Sequence, residues 1–312
     1  MAIVSRAATP EYRNGWDNVF RRNHDGFGES NGGMSCEPDK TDRHIDGDGP
    51  ERSKQAGQGI TIAARVLWYS KARQRPDALC KNLERFDCRP VEDSVGRGTW
   101  WTARECWKAG LETGASHILV LADDVIPCKN FCDVLLRAVA TRSDCFVNLF
   151  TLEANARMFA KEPFDSGKPW IDMRMPWCSG LAMLAPRALV IEFLAWCEEH
   201  LRPECYMDEG AYTLFHGATG RKIATTNPSL VEHDVHQRTT MVDGNPVAIA
   251  NAGPMTALHS YRFAGDAADS IDWTAGAVEW THSQFTVLSC HYKRFLKPTS
   301  PVLRQFGIEW SA

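Results

Sequence analysis

The stretch Ile118-Leu119-Val120-Leu121-Ala122-Asp123-Asp124-Val125-Ile126-Pro127 decides how the rest of the chain is read. His117 to Leu121 reads as a buried strand, and it ends abruptly in two adjacent carboxylates. Two such groups directly after a buried strand repel each other and lose solvation, which is costly unless a cation or several donors compensate. A hard divalent ion bridging carboxylate and diphosphate oxygens would compensate, and it would also neutralise charge building on a leaving nucleotide. Alternatively, Asp123 and Asp124 cap the following turn and helix. The pair alone leaves both readings open.

Upstream, Thr61 to Tyr69 is β-branched and apolar and reads as a first strand. Pro76 opens a short helix carrying Leu79, Leu83 and Phe86, and Cys88 to Val91 makes a second strand. From Thr99 to Thr113 a helix aligns Trp100, Ala103, Trp107 and Leu111, with Gly114 as its stop. Downstream, a helix over Phe131 to Thr141 repeats the pattern with Val134, Leu135, Ala138 and Val139, and a strand covers Cys145 to Phe150. Gly180 to Ala185 reads as a strand, and Pro186 starts a helix with Leu189, Val190, Phe193, Leu194 and Cys197 on one face. Asp208 is expected to cap a helical segment holding Tyr212 and Phe215, before strand-like Lys222 to Thr226 and the turn Asn227-Pro228-Ser229. This alternation predicts an α/β protein with a mixed, mainly parallel sheet and helices on both faces, followed by an irregular C-terminal region. Ligands of such sheets sit outside the carboxyl ends of the strands, which is where Asp123 and Asp124 fall.

Ala103-Arg104-Glu105 on a helix, then a hydrophobic strand, then the acidic pair resembles the donor half of GT-A glycosyltransferases, particularly the family-2-like enzymes of bacterial and phage genomes. This chain has Glu105 where that pattern has Asn, and Ala122 where it has the first Asp of Asp-x-Asp. The resemblance covers Thr61 to Arg238 and implies a GT-A, Rossmann-like fold, a nucleotide-sugar donor (a UDP-sugar foremost) and Mn2+ or Mg2+ as cofactor. It assigns Asp124 to the metal and Asp123 to the ribose or diphosphate. Trp177-Cys178-Ser179-Gly180 resembles the loop whose glycine lets backbone approach the sugar. Met207-Asp208-Glu209 resembles the motif opening the acceptor-side helix, with Glu209 as general base and Asp208 as its acidic neighbour. Pro228 to His233 resembles the closing strand, whose His233 would complete the metal shell, a role compatible with manganese. Ser70, at the end of the first strand, falls where the family holds its nucleotide base. His236 and Arg238 are candidates for diphosphate contact. Arg97 and Arg104 could pair with phosphate or with Asp123, with helix salt bridges as the ordinary explanation.

The remainder bounds the reading. A net charge of −4 over 312 residues gives no global drive toward nucleic acid or anionic membrane. Residues 1–59 are rich in Gly, Asp, Asn, Arg and Ser and are expected to form a flexible or partner-ordered arm. Residues 60–238 are expected to form the catalytic domain, and 239–312 an acceptor-side or capping region. There Arg262, His282, His291, Lys293 and Arg294 lie among aromatics that could stack on a flipped or single-stranded nucleotide, or simply pack a cap. The resemblance to phage enzymes implies an acceptor hydroxyl on a hydroxymethylated base of phage DNA or, alternatively, on a polysaccharide or lipid-linked glycan.

Eleven cysteines without a Cys-x-x-Cys pair suggest buried reduced thiols and a cytoplasmic protein, in the host cytoplasm if phage-encoded. No secretory signal or transmembrane segment is expected, since the longest apolar stretch, Gly180 to Cys197, is broken by Pro186, Arg187 and Glu192. Two other classes stay open. One is a nucleotidyltransferase using the same acidic pair, with Lys71 and Arg73 near the first strand as its basic residues. The other is a non-catalytic carbohydrate- or nucleic-acid-binding module. The chain has neither a P-loop nor a Gly-x-Ser-x-Gly nucleophile turn.

Overall fold

The computed structural model describes residues 59–71, 73–174, 180–205, 207–234, 259–281 and 295–305. Along the third strand, alternate side chains enter two separate cores, as the two-residue period of a strand requires. Leu119 and Leu121 pack with Leu79, Leu83, Val134 and Leu135, while Ile118 and Val120 pack with Trp107, Phe193, Tyr212 and Phe215. Burial on both faces explains why this strand is apolar throughout rather than alternating.

The strands are β1 (Ile62–Trp68), β2 (Arg89–Glu92), β3 (His117–Ala122), β4 (Val125–Pro127), β5 (Phe146–Asn148), β6 (Trp170–Arg174), β7 (Ala182–Pro186), β8 (Ile223–Thr226), β9 (Val231–His233) and β10 (Ala277–Thr281). Eight of them form one sheet in the order β10-β6-β8-β5-β7-β3-β1-β2, and β4 pairs with β9 in a second, two-stranded sheet. The parallel pairs β1–β2, β1–β3, β5–β8 and β6–β10 outnumber the antiparallel pairs β3–β7, β5–β7 and β6–β8. The sheet is thus mixed and mainly parallel.

The helices are α1 (Asp77–Asn82), α2 (Thr99–Leu111), α3 (Phe131–Ala140), α4 (Glu153–Phe159), α5 (Lys161–Asp165), α6 (Arg187–His200), α7 (Asp208–Thr219) and α8 (Val302–Gln305). Apolar stripes of α1 and α3 cover one face of the sheet, and those of α2, α6 and α7 cover the other. On the second face Phe146, Phe193 and Tyr212 surround Trp107, whose indole N–H donates to the Tyr212 hydroxyl at 2.9 Å. Helix α2 lies directly on β3. A Cβ at Gly110 would collide with the Ile118 side chain, so the missing side chain permits that approach.

Several expectations require correction. The chain after the acidic pair enters β4, and α3 starts only at Phe131 behind Asn130, so Asp123 and Asp124 do not cap a helix. The cap position of α7 is Met207, and Asp208 is already helical. The elements α4, α5 and β6 were not anticipated, and neither was the β4–β9 ladder. Apart from these corrections, β10 pairs with β6, and Phe295, Leu296, Val302 and Leu303 pack in the core of α6 and α7. Residues 1–58 lie outside the described residues. Among the described residues no helix is long and apolar enough to cross a membrane. Among the described residues the eight cysteines form no disulfide, and burial pushes the thiols of Cys106 and Cys197 well above their ordinary range.

Candidate functional site

In the sheet, β1 lies between β2 and β3 and is parallel to both. The chain leaves β1 for a neighbour on one side and returns on the other, so the loops following β1 and β3 diverge and leave a crevice between them. The acidic pair follows β3 at that crevice, and the loop following β1 delivers Arg73 to it. The backbone of this loop is held twice: Arg73 N–H donates to the Tyr69 carbonyl at 3.1 Å, and the Trp68 indole N–H donates to the Arg73 carbonyl, also at 3.1 Å. The Arg73 guanidinium donates to Asp124 Oδ2 at 2.8 Å and lies 4.0 Å from Asp123 Oδ1, with its side chain 5% exposed.

His233 reaches the same oxygen from β9. Strand β9 pairs antiparallel with β4, setting Val125 against His233, and Asp234 N–H donates to the Asp124 carbonyl at 2.7 Å. This places His233 Nε2 3.2 Å from Asp124 Oδ2. Glu232, next in the chain, accepts from the backbone N–H groups of His233 and Ser260, each at 2.8 Å, and from the Ser260 hydroxyl at 2.7 Å. It thereby fastens the returning segment to the strand that carries His233.

The two acids differ electrostatically. Burial pushes Asp124 upward, but the hydrogen bond and charge of His233 and the Arg73 guanidinium outweigh it and hold its carboxyl below the ordinary range. Burial raises Asp123 to about 6; Arg73 opposes this and the Asp124 charge adds to it. Asp123 Oδ2 is buried and accepts no hydrogen bond from the described residues. Such an orphaned carboxylate oxygen marks a position where a donor or cation would be gained.

A second acidic group adjoins the first through the sheet. Ala122 N–H donates to the Leu181 carbonyl at 2.8 Å, which sets Gly180 beside the end of β3. Gly180 has φ +65°, and a Cβ there would collide with the Asp208 carboxylate. Asp208 also ties α7 to α2: its N–H donates to Thr99 Oγ1 at 3.4 Å, and its carboxyl is hydrogen-bonded to Thr99. Burial raises Asp208 above the ordinary carboxylate range against these hydrogen bonds. Glu209, half-buried in the first turn of α7, is pushed well above its usual value by burial and then by the Asp208 charge.

The other candidates are dispersed. Ser70 is half-buried in the turn after β1. Arg97 is exposed, with its guanidinium 3.9 Å above the Trp101 ring, and Arg104 pairs with Glu105 at 3.2 Å. Among the described residues neither arginine forms an ion pair with Asp123. Arg262 is bound to Asp165 at 2.7 Å and to the Phe164 carbonyl at 3.0 Å. Trp177, Cys178, Ser179, His236, Arg238, His282, His291, Lys293 and Arg294 lie outside the described residues. A cavity of about 280 Å³ lies between α1 and the start of α3, lined by residues such as Leu83, Cys128 and Phe131, and no member of the acidic cluster lines it.

Arg73, Thr99 and Glu232 were not identified from sequence as members of this cluster. Arg73 had been noted only for the nucleotidyltransferase alternative. A further carboxylate, Asp93, follows β2 and shapes the neighbouring loop by accepting the N–H groups of Val95, Gly96 and Arg97 at 3.1, 2.8 and 2.5 Å.

Among the described residues no three His, Cys, Asp or Glu side chains converge as a complete metal site. The Asp124–His233 pair and the orphaned Asp123 oxygen form a partial donor set. It fits magnesium or manganese, which take one or two carboxylates plus water and phosphate oxygens, better than it fits a closed protein cage.

No protein-family model matches the chain, and no curated protein matches it. Among solved structures it is similar to A197 from STIV, with 19% identity and a TM-score of 0.36 over 55% of this chain and 85% of that one. It is also similar to the mannosyltransferase PcManGT from Pyrobaculum calidifontis in complex with GDP-Man and Mn2+, with 11% identity and a TM-score of 0.35 over 55% of this chain and 58% of that one.

Proposed function

We propose that this chain is a glycosyltransferase that moves a sugar from a nucleotide-diphosphate sugar, a UDP-sugar foremost, to an acceptor hydroxyl, with Mn2+ or Mg2+ as cofactor. The observation that carries the reading is the meeting of Asp123, Asp124, Arg73 and His233 at the crevice between the ends of β1 and β3. Carboxylates, a guanidinium and an imidazole gathered outside the carboxyl ends of parallel strands suit a phosphate-bearing ligand with a divalent counter-ion. The ion, held by Asp124 and His233, would supply charge neutralisation to the diphosphate leaving group.

In this reading the acceptor oxygen forms a bond to the anomeric carbon while the bond from that carbon to the diphosphate oxygen breaks. The hydroxyl proton passes to Glu209, with Asp208 as its acidic neighbour. Burial makes Glu209 a stronger base once it is ionised, so transfer should rise with pH as its carboxyl deprotonates. Ser70 at the end of β1 serves the base or ribose, Gly180 gives the sugar a close backbone approach, and Arg97 and Arg238 serve the diphosphate. Residues 60–238 hold the donor and 239–312 face the acceptor.

Two observations favour transfer over its rivals. The loop 69–76, Tyr-Ser-Lys-Ala-Arg-Gln-Arg-Pro, contains no glycine with which to cradle a triphosphate, against a nucleotidyltransferase. A non-catalytic module would leave the acidic pair without a metal, whereas the buried Asp123 oxygen without a donor calls for a cation or donor.

The test is a thermal-shift panel of nucleotide sugars with and without manganese, followed by transfer assays. Metal-dependent stabilisation by a nucleotide sugar, lost in Asp124→Asn, is the expected result. Stabilisation by nucleoside triphosphates alone, or by none of the ligands, would remove the assignment. Hydroxymethylated duplex DNA and a polysaccharide or lipid-linked glycan form the two acceptor arms.

A further inference from the structure

The oxygen that would hold the metal already has a cation on it. Asp124 Oδ2 receives the Arg73 guanidinium at 2.8 Å and His233 Nε2 at 3.2 Å. An incoming divalent ion therefore meets a carboxylate whose charge is compensated and a like charge within hydrogen-bond distance of its own ligand. The Arg73 backbone is anchored through Trp68 and Tyr69, so an exchange of partners has to come from a turn of the side chain. It stands on the β1 side of the crevice, where a diphosphate spanning the two loops would offer bidentate oxygens that suit a guanidinium as well as a carboxylate does.

We infer that Arg73 is a built-in counter-cation that holds Asp124 against divalent metal until a nucleoside diphosphate arrives, and then transfers its guanidinium from carboxylate to phosphate. The inference rests on the donor reading above and deepens it, because it makes metal and nucleotide binding mutually dependent. Free metal binds weakly and nucleotide without metal binds weakly. Each strengthens the other by the same factor, as linkage requires.

The test measures Mn2+ binding by electron paramagnetic resonance on wild type, Arg73→Met and Arg73→Lys, first without nucleotide and then with UDP. Without nucleotide, Arg73→Met should bind Mn2+ at least tenfold more tightly than wild type. Arg73→Lys, which keeps a cation on the same loop, should stay near the wild-type value. With saturating Mn2+, UDP should bind Arg73→Met at least tenfold more weakly than wild type, so the enhancement of Mn2+ binding by UDP largely disappears. Should Arg73→Met fail to fold, Arg73→Gln keeps an uncharged donor toward Asp124 and should show the same gain in metal affinity.

A folded neutral variant that binds Mn2+ no better than wild type overturns the counter-cation role, as does an Arg73→Lys that gains as much as the neutral variant. The two readings fail separately. Unchanged metal affinity with intact UDP binding sinks the counter-cation and spares the donor site. Tighter metal binding in a protein that binds no nucleotide keeps the contest between Arg73 and metal but sinks both the donor reading and the transfer to phosphate.

Discussion

Gly180→Ala tests the most crowded contact in the site. Gly180 has φ +65°, in the left-handed region, where an L side chain costs roughly 1–2 kcal/mol. Its missing Cβ is also the space occupied by the Asp208 carboxylate. Asp208 is 5% exposed and tied to Thr99, so it cannot retreat without breaking hydrogen bonds inside a buried environment, at about 1–3 kcal/mol. The two costs sum to about 2–5 kcal/mol, to be read from urea unfolding monitored by tryptophan fluorescence. A double-mutant cycle separates them, because Asp208→Ala removes the obstacle but leaves the backbone conformation. In the Asp208→Ala background, Gly180→Ala should cost only the backbone part, giving a coupling of about 1–3 kcal/mol between two residues distant in sequence. Additive costs would refute the packing of Gly180 on Asp208, and with it the placement of the α7 acids beside the end of β3.

Three further outcomes are expected. His216 is 1% exposed, its Nδ1 donates to the Arg221 carbonyl at 3.2 Å, and burial lowers it to about 3 from 6.5, so it folds neutral. Because the unfolded chain takes up the proton first, its contribution is intact above pH 6.5 and declines as pH falls toward 3. At pH 5 the loss is about 2 kcal/mol, so the stability gap between wild type and His216→Gln should shift by about that much between pH 7.5 and pH 5 in urea titrations, and a pH-independent gap would count against a neutral buried ring. Asp124→Ala removes the 2.8 Å carboxylate partner of the buried Arg73 guanidinium and should cost about 3 kcal/mol in chemical denaturation, whereas a change under about 1 kcal/mol would mean that the ion pair does not form. Glu232→Ala should cost about 1–3 kcal/mol and accelerate hydrogen exchange at the Ser260 amide; unchanged exchange there would show that the carboxylate does not fasten that segment.

Much of the sheet was readable because its strands are buried on both sides. β1, interrupted only by Arg65, and β3, after His117, appear in the sequence as apolar runs, and α2, α3 and α6 announce themselves by apolar residues at helical spacing. By contrast, β4 and β9 are three residues each, too short to show a period, and they exist because they pair with each other across more than 100 residues of chain. The same limit hid α4, α5 and β6, whose apolar side chains form a small satellite core with Tyr261, Val278 and Trp280. At the site, Asp124 and His233 had been associated through family resemblance, and the structure brings their side chains within 3.2 Å. Arg73 was invisible as their partner because one arginine in a polar loop has no spacing signature. Its position depends on the Trp68 and Tyr69 contacts and on the side of β1 that β3 occupies. Gly180 was recognisable as a loop glycine, but the reason for it, the Asp208 carboxylate, comes from another helix.

The distribution of buried charge separates a site from a scaffold. In the core of α6 and α7, Trp107 and Tyr212 satisfy one another and His216 remains uncharged, so the buried atoms left without a partner there, His216 Nε2 and Thr213 Oγ1, belong to neutral groups. At the crevice, two carboxylates and a guanidinium are all largely withdrawn from solvent, and one carboxylate oxygen still has no donor. A buried ion pair contributes little net stability because desolvation consumes most of its attraction, so the pair is a poor device for holding β1 to β3, which already share a parallel ladder from Ile62 to Leu67. Its energetics make sense once a ligand brings charge of its own. Under the proposed function a phosphate group would give Arg73 a further partner, a divalent ion would give Asp123 and Asp124 the cation they share poorly now, and the desolvation already incurred in the folded protein would not be incurred again on binding.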